Sequence, residues 1–286
     1  MFGSLTSESP SNSVILENSR SVMDPTLMVF HLTTLGLMGR WVDTHCHLQL
    51  ARETPQRLLD RASDVGTVVV PGVDHASSLA AAELAHNHPD RVRYAAGLHP
   101  HEAQRWALER DSLVALMADA CAVGETGLDF YRNLSPPDTQ RQSFIDHLRI
   151  ARELGKAVIV HCRDAFRDIH DILNNEGAGP SVVLHCWTGG PKWSRRFADL
   201  DVTFSFAGPV AFETGDTVRR GAAVIDPSRV VVETDTPYLA PPPHRGADNE
   251  PAHVARVGAA LADLWGMSVN AVAESTTARA EKVFGL

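Results

Sequence analysis

Two histidines set two residues apart open the chemistry of this chain: His45 and His47, in the run Val42-Asp43-Thr44-His45-Cys46-His47-Leu48. Along an extended strand, residues i and i+2 point to the same face. Both imidazoles are therefore expected to face one point, with Asp43 one step deeper on that face. Farther along, Glu125, His161, His185 and Asp235 each close a short apolar run, and His99 closes another. Imidazoles and carboxylates in one mixed nitrogen and oxygen set suit Zn, Mn, Ni or Mg. Six candidate ligands (His45, His47, Glu125, His161, His185 and Asp235) exceed the four of one tetrahedral zinc site. The count favours two divalent metal ions sharing a carboxylate, with Glu125 the natural bridge. Hydrolysis by a metal-activated water is the chemistry expected of such a pair. A His-x-His pair alone decides little: His86 and His88, just before Pro89 at a helix end, read as solvated surface.

Residues as far apart as His45 and Asp235 meet only if the fold brings them together. From Arg40 onward, short β-rich runs alternate with longer helical stretches, the pattern of parallel β/α architecture. Strands are expected at residues 41–47, 67–72, 92–99, 121–125, 157–161, 181–185, 202–206 and 230–235. Helices are expected at 55–64, 76–86, 103–120, 139–154, 165–174, 192–200, 214–223 and 252–264, with a ninth at 268–283. Continuous apolar runs such as Val68-Val69-Val70 and Val158-Ile159-Val160 suit strands buried on both faces. Eight β/α units predict an α/β fold, a closed (β/α)8 TIM barrel, whose strand C-termini converge on one catalytic face. The candidate ligands all sit at those ends.

Size and composition agree. A chain of 286 residues holds one barrel of about 250 residues plus a tail. Apolar content of 44% supplies an ordinary core. A net charge of −9 argues against a broad basic face for duplex nucleic acid and leaves room for a local cationic cleft. Cys46, Cys121, Cys162 and Cys186 form no CxxC pair and are expected to be reduced, in a cytoplasmic protein. Residues 1–39, rich in Ser and Asn, are expected to be a disordered or non-native N-terminal extension, leaving 40–286 for the barrel. Their apolar stretch, 27–38, is too short to cross a bilayer and lacks the flanks of a secretory signal. No membrane association is expected, and a monomer is.

Seven motifs, in order from about Trp41 to the C-terminus, resemble the TatD family of deoxyribonucleases. They are the His45/His47 run, Gly97-Leu98-His99-Pro100-His101, Gly124-Glu125-Thr126-Gly127-Leu128-Asp129-Phe130-Tyr131, His161-Cys162-Arg163, His185-Cys186-Trp187-Thr188-Gly189, Glu233-Thr234-Asp235-Thr236-Pro237-Tyr238-Leu239, and Arg245-Gly246 with Asn249-Glu250-Pro251. The resemblance implies one metal held by His45, His47, Glu125 and Asp235, and a second held by Glu125, His161 and His185. It implies a metal-dependent nuclease, several members acting 3′→5′ on single-stranded DNA ends; other members are linked to removal of misattached amino acids from tRNA. Two positions depart from the family pattern: Ala247-Asp248 and Glu213 stand where a basic residue is common.

Other residues carry expectations of their own. Asp235 is a candidate general base as well as a ligand, and Glu125 shares the catalytic role. His99 is a candidate to contact phosphate or protonate a leaving group, against an equal reading as a hydrogen-bonding neighbour of the ligands. Arg163 and Arg245 are candidates to grip phosphate, and Trp187 and Tyr238 to stack on a terminal base. Glu233 is expected to be structural, with Arg163 as its ion partner. The rival activities are ester or amide hydrolysis on the same centre, as in an aminoacyl-tRNA deacylase, and a metal-binding protein without turnover. No Gly-x-Ser-x-Gly elbow is present for a serine hydrolase.

Overall fold

The computed structural model describes residues 41–286, so the expectation for residues 1–39 lies outside the described residues. Eight strands run in chain order: β1 (Trp41–Asp43), β2 (Val65–Pro71), β3 (Val92–Ala96), β4 (Ala122–Asp129), β5 (Ala157–Arg163), β6 (Val182–Leu184), β7 (Thr203–Phe206) and β8 (Val230–Val232). Each pairs in parallel with the next. The barrel closes between β8 and β1: Thr44 N–H donates to Val232 O, Asp235 N–H to His45 O, and His47 N–H to Thr236 O. Between and after the strands lie α1 (Pro55–Arg61), α2 (His75–Asn87), α3 (Trp106–Asp119), α4 (Pro137–Leu154), α5 (Phe166–Glu176), α6 (Pro191–Ala198), α7 (Asp216–Ala222), α8 (Val254–Trp265) and α9 (Val269–Phe284). The expected (β/α)8 barrel is the fold observed. Among the described residues, no helix is long and apolar enough to cross a membrane.

The continuous apolar runs are explained by burial on both faces. Val69, Ile159, Val183 and Val231 fill the barrel interior, while their neighbours Val68, Val70, Val158, Val160, Leu184, Val230 and Val232 pack outward beneath the helices. The inward phase carries on along β5 and past the ends of β6 and β8. Counting in twos from Ile159, Val183 and Val231 reaches His161, His185, Glu233 and Asp235.

β4 does not follow that count. Ala122 belongs to the interior, so simple alternation would turn Glu125 outward. One extra residue intervenes: Val123 pairs with Val158, but Thr126 already pairs with Val160. This bulge reverses the phase and aims Glu125 and Asp129 into the barrel mouth. Gly127 lies between them at φ 135°, where a Cβ would fall 2.1 Å from His161 O. Only glycine lets β4 lie that close to β5.

A buried histidine braces the end of β3. His147 of α4 accepts the Leu98 N–H at Nε2 and donates from Nδ1 to Ser143 O, which requires the neutral ring. Burial pushes its pKa down to about 4. The unfolded chain therefore binds a proton between pH 6.5 and 4 that the folded chain refuses. Stability from this group is complete above pH 6.5 and is lost as pH falls toward 4, by about 3 kcal/mol in all. Urea unfolding at pH 7 and pH 4 should show wild type losing that much more than His147→Gln; parallel losses would refute the assignment.

Candidate metal centre

The described chain leaves β1 after Asp43, bends at Thr44, and rejoins the sheet through Cys46, which bridges to Thr236. Cys46 packs into the outer core, so His45 and His47 on either side turn to the mouth together. Asp43 does not share their face: its carboxylate accepts the Thr234 N–H and Thr234 hydroxyl. Burial pushes the Asp43 pKa up to about 8, against these hydrogen bonds. The residue ties β1 to the chain leaving β8.

Glu125 stands at the centre. Its Oε1 lies 2.9 Å from His161 Nδ1, 3.2 Å from His185 Nε2 and 3.5 Å from His99 Nε2. Its Oε2 lies 3.3 Å from His45 Nε2 and 3.7 Å from His47 Nε2. Asp235 Oδ1 lies 3.7 Å from His47 Nε2 and 3.9 Å from His45 Nε2. Burial drives the Glu125 carboxyl up, but His185, His99, His45 and the His161 hydrogen bond together hold it well below the usual range. Asp235 is less supported: burial raises it to about 6 against the pull of His185 and His45.

The hydrogen bonds assign the imidazole protons. His47 Nδ1–H donates to Pro71 O, leaving the Nε2 lone pair to the cavity. His185 Nδ1–H donates to Glu233 Oε1, turning Nε2 toward the cavity and Glu125. His47 Nε2 and His45 Nε2 then face each other at 3.1 Å, and buried His45 Nδ1 has no partner among the described residues. Two ligands about 2.1 Å from one cation, at right to tetrahedral angles, lie roughly 3.0–3.4 Å apart. The pairs of His45 with His47 and Glu125 fall in that range, while the His47–Glu125 pair and the two Asp235 pairs are wider, at 3.7–3.9 Å; the donor types and their convergence fit a cation. Three His-and-carboxylate groups bring their ligand atoms within 4.8 Å of one another: His45/His47/Glu125, His45/His185/Asp235 and His99/Glu125/His161.

His99 differs. Its Nδ1 accepts the His101 N–H, so the ring proton sits on Nε2, facing Glu125. Burial pushes its pKa well below the usual value, and Glu125 only partly opposes this. A neutral donor is thus held against the cavity.

The structure brings all six candidate ligands and His99 together, but it rearranges the outer residues. Glu233 is held by His185, the Cys186 N–H and the Ser205 hydroxyl, not by Arg163. Trp187 cannot stack on a base: it is 2% exposed, wedged against Phe166, Phe197 and Phe204, with its indole N–H on Ser194 Oγ. Arg245 does not line the cavity, its guanidinium lying 3.7 Å over the Phe212 ring. Tyr238 is 55% exposed and does line it, as does Arg163. Asp129 and His101 were missed as site residues. Asp129 Oδ2 accepts from His101 Nε2 at 2.8 Å and lies 3.3 Å from His161 Nε2. Its even spacing from Glu125 on one strand was the available signal. All four cysteines are free thiols.

The cavity over these groups measures about 760 Å³, a size that admits a ligand. Comparison with known proteins adds to the geometry. A family model described as TatD related DNase matches residues 42–285. An uncharacterized metal-dependent hydrolase, YcfH of Escherichia coli K12, is 36% identical over 257 residues, covering 85% of this chain and 95% of its own. A Citrobacter rodentium protein named 3′-5′ ssDNA/RNA exonuclease TatD is 34% identical, covering 79% and 89%. Among solved structures, the TatD homologue YjjV of E. coli K12 superposes with a TM-score of 0.80 at 24% identity, covering 86% and 98%. With the barrel, the buried His and carboxylate groups and a family match over most of its length, the chain belongs to the TatD family of metal-dependent hydrolases.

Proposed function

We propose that this protein is a two-metal phosphodiesterase that removes nucleotides from the 3′ ends of single-stranded DNA. One observation carries the reading: the two oxygens of a single buried carboxylate, Glu125, each face a different set of imidazoles. In this reading His45, His47, Glu125 and Asp235 hold one divalent ion, and Glu125, His161 and His185 hold the other, the ions being Zn, Mg, Mn or Ni. When bound, such a pair supplies Lewis acidity and a water that ionises near neutral pH. Asp235 accepts the proton of the attacking water at its carboxylate. His99 offers the proton held at Nε2 to a phosphate or departing oxygen. The exonuclease name carried by the Citrobacter relative supports the choice of substrate.

The direct test is 3′-labelled single-stranded DNA with and without chelator. Mononucleotides should be released, release should stop on chelation, and one of the four ions should restore it. Digestion indifferent to chelator would overturn the reading. A faster rate on an aminoacyl ester from the same preparation would select the ester-hydrolase alternative. The acidic replacements Glu213 and Asp248 favour that alternative, although Asp248 is partly neutralised by Arg52, 3.6 Å away.

Glu233 gives a quieter prediction. It orients His185 through Nδ1 while touching none of the cavity, so Glu233→Gln should weaken metal binding by about 10–100-fold without unfolding the barrel. Competition against a chromophoric chelator measures this; unchanged affinity would remove Glu233 from the metal site's support.

A further inference from the structure

The mouth of the cavity carries two arginines with unused charge. Arg132 and Arg163 both line it and both are exposed, and neither forms an ion pair among the described residues. Arginines elsewhere on the surface, such as Arg61, Arg105 and Arg141, are paired with carboxylates. Arg167, Arg195 and Arg256 are unpaired too among the described residues, so what sets Arg132 and Arg163 apart is their place at the cavity of a chain of net charge −9.

The two are anchored in different ways. Arg163 ends β5, two residues past His161, and its guanidinium lies 4.1 Å over the Tyr131 ring. Stacking fixes the plane of the fork while its N–H edges stay free for an anion. Arg132 follows Tyr131 on the loop after β4, and its backbone N–H donates to Asp129 Oδ1 at 2.7 Å. The same loop is braced from below by buried Gln140, which bonds both Asp129 and Ser135. Asp129 in turn touches His161. One carboxylate thus couples the loop bearing Arg132 to the catalytic floor.

We infer that Arg132 and Arg163 form a preorganised anion clamp for the phosphate one linkage upstream of the bond being cut. The clamp makes a substrate with a second phosphate the preferred one, and it sets that preference through binding. The inference rests on the phosphodiesterase reading above and adds the specificity determinant to it. It also explains how an acidic protein holds a polyanion: the attraction is local, one stacked fork and one backbone-anchored arginine at the mouth of the same cavity.

The test uses the metal-loaded full chain and two 3′-labelled oligonucleotides. One is native; in the other, the phosphate upstream of the scissile linkage is a neutral methylphosphonate. Wild type should prefer the native strand by about 30-fold in kcat/KM, the magnitude of a charge-assisted contact, with the difference mostly in KM. The double variant Arg132→Ala/Arg163→Ala should lose that factor on the native strand, keep its metal content and no longer discriminate between the two. Arg163→Lys, which keeps charge without the stacked fork, should fall between. Hydrolysis of both strands at equal rates by wild type would overturn the clamp alone, as would discrimination that survives in the double variant. Absence of hydrolysis on either strand by metal-loaded wild type would overturn the clamp together with the phosphodiesterase reading.

Discussion

If the proposed two-metal nuclease reading holds, Glu125→Gln is expected to lower kcat/KM on single-stranded DNA by at least about 10³-fold and to reduce bound metal from two ions per chain to one or none. Glutamine keeps the shape of the side chain, so the barrel should fold. What it removes is specific: the negative charge, and one of two acceptor oxygens that face imidazoles at 2.9–3.7 Å. Whichever way the amide is turned, an NH2 group meets one set of nitrogens and a neutral oxygen meets the other. In the wild type, those imidazoles hold the carboxylate ionised against the cost of burial. Loss of an outer partner of a metal ligand costs about 10–100-fold. A residue serving both ions should exceed that range. Metal analysis, circular dichroism and steady-state rates on one preparation decide the matter. Full metal loading with activity within tenfold of wild type would end the two-ion reading of Glu125.

Much of this site was legible because two periodicities reinforce each other. Runs such as Val158-Ile159-Val160 announce strands buried on both sides, and His161 then falls on the inward count from Ile159. His185 and Asp235 follow the same count on β6 and β8. Glu125 was reached for a different reason, its chemistry and motif, since alternation from Ala122 would have turned it outward. The bulge that corrects it is a property of pairing with β5, and a single strand's sequence does not display its partner's register. Ending β4 at Glu125 also hid Asp129, and with it the His101–Asp129–His161 hydrogen bonds. Trp187 illustrates the converse error. Proximity to His185 in sequence suggested a stacking platform, but Phe166, Phe197 and Phe204, distant in sequence, enclose it. The partner of Glu233 was mistaken in the same way. Arg163 is near in charge logic, whereas the acceptor is used by His185 at the end of β6, two strands away from β8.

Asp235→Asn separates catalysis from stability in one residue. Asp235 holds a positive φ of 59°, and its N–H donates to His45 O. Asparagine tolerates the left-handed region well, so the backbone bond should survive. On the proposed mechanism, the variant loses the carboxylate that accepts the proton of the attacking water. A fall in kcat of about 10²–10⁴-fold is expected, with KM nearly unchanged. Metal held through Glu125, His161 and His185 should remain. In protein stripped of metal the sign reverses. Burial raises the Asp235 pKa from 3.8 to about 6. Between those values the folded state binds a proton that the unfolded state has released, so stability falls as pH rises through the interval. Above pH 6 the ionised carboxylate costs up to about 3 kcal/mol, a penalty that asparagine does not carry. Metal-free Asp235→Asn should therefore melt higher than metal-free wild type at pH 7.5, and the gap should close toward pH 4. Adding metal should shrink or invert the difference, because a cation beside the carboxylate compensates its burial. A variant that is less stable than wild type at every pH, with or without metal, would show that Asp235 serves the fold and not the chemistry.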